Sequence, residues 1–139
     1  MAGAGILDER LTLLGQSAED LPAISALLQD ALLRPHDVAF DARSRRLVLL
    51  VNRYRWESSI RSRVRTALRI ETVQTAQRLH WPTAPDAVLS LLNLAQEGDW
   101  LVINFAAGTS LRVRTEVVEI ILEDVAPPWE TGREPKHPA

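Results

Sequence analysis

Leu47-Val48-Leu49-Leu50-Val51-Asn52 is answered 41 residues later by Val88-Leu89-Ser90-Leu91-Leu92-Asn93, and no gap is needed to keep the register. The same offset matches Ser25-Ala26-Leu27 with Thr66-Ala67-Leu68 and Asp30 with Glu71. It also matches Val38 and Phe40 with Leu79 and Trp81. A fixed offset through apolar runs and polar breaks reads as one supersecondary unit used twice. The quoted runs are short, apolar and followed by asparagine, which closes a strand by bonding its own backbone. The reading is therefore extended chain rather than helix.

Working outward, Asp41 to Ser44 is polar turn material between Val38-Ala39-Phe40 and the run from Arg46 to Tyr54, a hairpin pattern. Arg63 to Leu79 reads as a long β stretch ended by the turn Pro82-Thr83-Ala84-Pro85-Asp86, which neither a helix nor a central strand tolerates. Val88 to Ala95 and Trp100 to Phe105 are strands around the turn Gln96 to Asp99. In Ser110 to Thr115, Leu111 and Val113 alternate with Arg112 and Arg114, the period of a half-buried strand. Leu11 to Leu14 is a further strand candidate. Ser17 with Glu19 and Asp20 suits a helix N-cap, and Pro22 fits a first turn only, so one short helical turn is expected near 18–25.

Two stretches are ambiguous. Residues 26–34 contain good helix formers, whereas their repeat partner contains Ile70, Thr72 and Val73, which favour strand. The repeat tips both towards strand. Val117 to Val125 could present one helical face, yet β-branched residues dominate it, and strand is the preferred reading. The expected fold is mainly β: a small barrel or two-layer sandwich with an internal two-fold repeat and one short helix. The alternative is α+β, a pleckstrin-homology-like barrel closed by a C-terminal helix at 117–125. The repeats would pack through Ala26, Leu28, Leu50, Leu68, Ile70 and Leu91.

With 139 residues and 46% hydrophobic content, the chain reads as a single domain, residues 1–139, large enough to bury a core without staples. The ordered core is expected over about 8–126, with an irregular tail over 127–139 after Pro127-Pro128, whose start Trp129 could pin back. The absence of cysteine removes disulfides, thiolate zinc sites and cysteine nucleophiles. Neither a signal-peptide pattern nor an apolar run long enough to span a bilayer is present, so the expected setting is cytoplasmic, without membrane.

The net charge of −2 conceals a segregation. Residues 43–69 hold nine arginines against the single acid Glu57, while both flanking regions are acidic. Arg61, Arg63 and Arg65 would share one face of an extended segment. With Arg53, Arg55 and the stacking ring of Trp56 they form a candidate polyanion-binding set. The flanking acids are numerous enough to neutralise the segment instead. His36, His80 and His137 lack the spacing of a metal site, and no nucleophile motif or phosphate loop is legible. No catalytic residue, metal ligand or cofactor is assigned.

Glu19-Asp20-Leu21, Gln29-Asp30-Ala31, Arg45-Arg46-Leu47, Asn52-Arg53-Tyr54-Arg55-Trp56-Glu57, Arg63-Val64-Arg65 and the tail from Trp129 to His137 together resemble a bacterial family, the domain of unknown function 2948. The resemblance covers nearly the whole chain. Tyr54 stands where phenylalanine is expected, and Ala106-Ala107-Gly108 where a more glycine-rich turn is usual. The resemblance implies one compact domain and carries no catalytic residues. The functional expectation is a non-enzymatic protein-binding or adaptor module, acting through a protein partner or as a homo-oligomer. The alternative is an RNA or other polyanion binder working through 43–69; a small ligand-binding barrel is the third class.

Overall fold

The computed structural model describes residues 10–132 together with 134 and 135. The chain is mainly β with one short helix. Its strands are β1 (Thr12–Gly15), β2 (Leu32–Leu33), β3 (Val38–Asp41), β4 (Arg46–Tyr54), β5 (Ser62–Ile70), β6 (Val73–Leu79), β7 (Leu89–Glu97), β8 (Trp100–Phe105), β9 (Ser110–Thr115), β10 (Ile120–Asp124) and β11 (Trp129–Glu130). The helix α1 spans Leu21–Leu28. Neighbouring strands pair antiparallel in the order β1-β10-β5-β4-β2-β7-β8-β9-β6, with β3 beside β4 and β11 beside β5.

The end strands β1 and β6 do not meet, so the sheet stays open rather than closing into a barrel. Two-residue β2 joins its halves, pairing Leu32 with Asn52 on one side and Ser90 on the other. Both halves and α1 bury one hydrophobic cluster that includes Leu28, Leu49, Leu68, Leu91, Ile103 and Phe105. The hairpin β3–β4 forms as its turn chemistry dictates: Asp41 Oδ1 accepts from the backbone N–H of Arg43 at 3.0 Å. Gly98 (φ 60°) and Gly108 (φ 76°) take the left-handed backbone at the β7–β8 and β8–β9 turns.

The 41-residue offset does not survive as a structural repeat. Ser25-Ala26-Leu27 is helical, whereas Thr66-Ala67-Leu68 is strand. Leu21, Ile24 and Leu28 recur at helical spacing and are buried, and 26–28 contains no β-branched residue, so propensity decides that stretch. The better-matched runs also disagree. Leu47 is buried but its counterpart Val88 is exposed, and Leu49 is buried where Ser90 is half-exposed. Opposite pleat phases invert every side chain, so the likeness is one of composition only. Ala26 is consequently exposed and Leu50 lies on the outer side, while Leu28, Leu68, Ile70 and Leu91 join the core as expected.

The alternative with a C-terminal helix is also overturned. Within 117–125, residues 120–124 form β10, which pairs with both β1 and β5. β-branched Ile120 and Ile121 suit that central position. Helix α1 docks on β7 through Ser25, whose Oγ donates to Leu94 O (3.2 Å) and accepts from Leu94 N (2.9 Å). Gly15 lets β1 approach this helix closely: a Cβ there would lie 2.6 Å from Ile24 Cδ1.

The chain beyond β10 keeps following β5. Val125 N donates to Arg65 O, residues 126–128 bulge away, and Trp129 and Glu130 then pair with Arg63 and Ser62. Thr131 N donates to Arg61 O at 2.9 Å. The start of the expected irregular tail is therefore a short strand. Backbone pairing holds it, since the Trp129 side chain remains 42% exposed.

Candidate functional site

The pleat of β4 and β5 sorts the arginines of the basic segment. On β5 the residues Ser62, Val64 and Thr66 are buried, whereas Arg63 and Arg65 are half-exposed and Arg61, just before it, is exposed. This is the shared face expected from alternation. On β4, Arg53 lies opposite Val64 and shares its inward side.

Arg53 is completely enclosed, with 0% exposure. Its Nε and Nη2 donate to Asp124 Oδ1 (3.1 Å) and Oδ2 (2.9 Å), and its Nη1 and Nη2 donate to Glu57 Oε1 (2.9 Å) and Oε2 (2.7 Å). Asp124 also accepts from Thr66 Oγ1 (2.8 Å) and from Leu11 N (2.9 Å). Burial opposes ionisation of Asp124, but hydrogen bonds from Arg53, Leu11 and Thr66 outweigh it and hold its pKa below the usual value. For Glu57 burial likewise opposes ionisation, and the Arg53 hydrogen bonds lead the effects that bring its pKa down. Arg55 is also buried, with Nη1 donating to Ser62 Oγ at 3.2 Å. These two arginines serve the interior. They are enclosed and do not face solvent.

Arg61, Arg63 and Arg65 point outwards, and Trp56 lies on the same side of the sheet over Tyr54 at 4.7 Å. Arg65 Nη1 donates to Asn52 Oδ1 (3.2 Å), and its Nη2 approaches Asp37 Oδ1 at 3.5 Å. Arg63 Nη1 donates to Asn52 O (3.0 Å), and its guanidinium carbon lies 5.9 Å from the Tyr54 ring centroid. Burial pulls the Arg63 pKa below its ordinary value, against the attraction of Asp30. Trp56 Nε1 donates to Gln29 O (3.0 Å), which fixes the indole at the edge of this face.

Two hollows flank the arginine row and share Leu32. One, of about 770 Å³, is lined by Leu32, Arg61, Arg63, Thr131, Gly132 and Glu134 among others. The second, of about 450 Å³, is lined by Leu32, His36, Asp37, Asn52, Arg65 and Val88 among others. Arg65, Asn52, Leu32 and Ser90 face one another across four strands, β5-β4-β2-β7. The result is an extended shelf with guanidiniums along one side and an apolar residue at its centre.

The rest of the basic segment disperses. Arg45 pairs with Glu116, and Arg46 pairs with Glu71 at 2.8 Å. The nine arginines therefore do not form one continuous positive surface. Asn52 and Asn93, matched in sequence, have unrelated roles: Asn93 Oδ1 accepts from Asn104 Nδ2 at 2.9 Å on the other half of the sheet. Sequence reasoning missed Leu32 and a second cationic cluster, Arg112 and Arg114 over Trp100. The alternation in 110–115 pointed both arginines outward, but nothing in the sequence placed Trp100 beneath them.

Among the described residues, no helix is long and apolar enough to cross a membrane. Comparison with curated proteins and with solved structures found no match. Over residues 11–137, from the start of β1 through β11 and into the tail, the chain matches the family described as Protein of unknown function (DUF2948), and it belongs to that family.

Proposed function

We propose that this domain is a non-enzymatic protein-binding module that takes an acidic, extended segment of a partner along the outer shelf of β5. The observation that carries this reading is the placement of Arg61, Arg63 and Arg65 on one face, bordering two hollows that meet at Leu32. Carboxylates of an extended peptide recur on one side every second residue, as do these guanidiniums, and arginine binds a carboxylate bidentately. Leu32 offers the apolar contact between them. Setting the arginines on a sheet already tied by Asn52 and Tyr54 lowers the ordering cost of binding.

A polyanion lying along the same row is the second reading. It rests on Arg61, Arg63 and Arg65 with Trp56 at the edge, without the enclosed Arg53 and Arg55.

The test is selection from a displayed random-peptide library, followed by anisotropy titration of the enriched peptides. Enrichment of sequences with alternating Asp or Glu is expected. Arg61→Glu and Arg63→Gln should each weaken binding by about tenfold, roughly 1.4 kcal/mol. No enrichment, or binding by both variants as tight as that of the parent, would overturn the proposal. Displacement of the peptide by an oligonucleotide but not by a second acidic peptide would favour the polyanion reading instead.

A further inference from the structure

The outer face of β6, β9, β8 and β7 carries cations of a different kind. Arg112 and Arg114 project from β9, and their guanidinium carbons lie 4.1 Å and 4.5 Å from the centroid of the same Trp100 ring. The two charges are therefore no more than 8.6 Å apart, which is inside the screening length of about 10 Å at 0.1 M salt. Neither is ion-paired with a carboxylate among the described residues, whereas Arg45, Arg46, Arg53 and Arg65 all are. Arg112 is instead oriented by a neutral group: Nε and Nη2 donate to Gln77 Oε1 at 3.0 Å and 2.7 Å.

A purely structural stack accounts for the burial of Val102 beneath the arginine stems. It leaves both guanidinium heads without a carboxylate within 4.0 Å among the described residues, since Glu116 nearby is paired with Arg45. Phosphates accepting from these guanidiniums would supply the missing negative charge, and stacking on the ring holds both heads ready for it.

The surroundings narrow the class of anion. Hollows of about 510 Å³ and 610 Å³ flank the stack, the first lined by Gln77, Trp100, Asn104, Ser110 and Arg112 among others, the second by Gln96 and Arg114 together with the acids Asp99 and Glu116. Neutral hydrogen-bonding side chains dominate the first hollow, and its acid is Glu97. Gln77 lies opposite Arg112, and Ser110, Asn104 and Asn93 form the adjoining row across β9, β8 and β7. Amides beside a guanidinium–indole stack on an open sheet match the needs of unpaired nucleobases, whose edges hydrogen-bond and whose faces stack on guanidinium planes.

We infer that this face is a binding site for single-stranded nucleic acid, with Arg112 and Arg114 gripping its phosphates and Gln77 and Asn104 facing its bases. The inference is independent of the shelf on β5 and uses none of its residues.

The experiment is an anisotropy titration of a fluorescein-labelled oligothymidylate with the full chain, at several salt concentrations, with inorganic pyrophosphate as a competitor. Saturable binding is expected, with a log–log salt slope of about −1.4 if two phosphates are neutralised at roughly −0.7 each. Arg112→Gln and Arg114→Gln should each weaken it by about tenfold or more. Thermal melts of the two variants, whose substitutions lie on an exposed face, should overlay the parent. Binding of neither probe, a flat salt dependence, or retention of affinity in both variants overturns the site. Binding of pyrophosphate alone overturns its assignment to a nucleic-acid strand.

Discussion

Asp124→Ala should lower the unfolding free energy by about 3–5 kcal/mol, the usual consequence of removing one partner from a buried ion pair. Urea titration followed by tryptophan fluorescence measures it. The substitution removes four accepted hydrogen bonds at once, from Arg53 Nε, Arg53 Nη2, Thr66 Oγ1 and Leu11 N. Glu57 remains on the other edge of Arg53, but its side chain is partly exposed and closes only the outer side of the guanidinium. Arg53, with 0% exposure, would lose the acceptor of Nε and one acceptor of Nη2, while Thr66 Oγ1 would fall back on Val64 O at 3.4 Å. A cost below about 1 kcal/mol, the range of an exposed pair, would show that water reaches the site.

The same network sets a pH dependence. The pKa values of Asp124 and Glu57 are both lower in the folded chain than usual. A depressed carboxylate contributes stability that is present above its unfolded pKa, about 3.9 for Asp and 4.3 for Glu, and that is lost as pH falls through the folded value. The parent should therefore lose stability progressively below about pH 4. Asp124→Ala should lose less over that interval, since one of the two titrating groups is gone.

Phe105→Ala should cost about 3–5 kcal/mol by a different route, loss of transfer free energy plus a cavity. Phe105 is buried on β8 opposite Leu91 of β7, at the point where β7 also bonds the segment after α1 through Leu91 N to Ala31 O. Its ring meets Trp81 edge-on at 5.9 Å. Truncation would unseat the loop between β6 and β7 as well as open the core. Phe105→Leu keeps most of the volume and should cost less than about 1.5 kcal/mol. Urea unfolding of both variants gives the comparison; near-equal costs would mean that the ring's contact with Trp81 carries the effect rather than the volume it fills.

Much of the strand content was legible because its signals are local. The β3–β4 hairpin, the turn before β8 and the alternation in β9 each lie within about a dozen residues, where period and turn chemistry act together. The outward placement of Arg61, Arg63 and Arg65 was legible for the same reason. The helix at 26–28 was not, because a coincidental likeness to the strand-forming Thr66-Ala67-Leu68 opposes its own propensity. Nor was the fate of Arg53. Glu57 lies four residues from it, but Asp124 lies 71 residues away and arrives only through the pairing of β10 with β5. A run of arginines in sequence announces charge. The pleat, and acids brought from far along the chain, decide which of those charges face water.

That sorting can be read directly by modifying the native protein with phenylglyoxal and following each arginine by peptide mass spectrometry. Arg61 should react at the rate of an exposed side chain, while Arg53 and Arg55 stay unmodified until the chain is unfolded. Modification of Arg53 as fast as Arg61 in the folded protein would contradict the account.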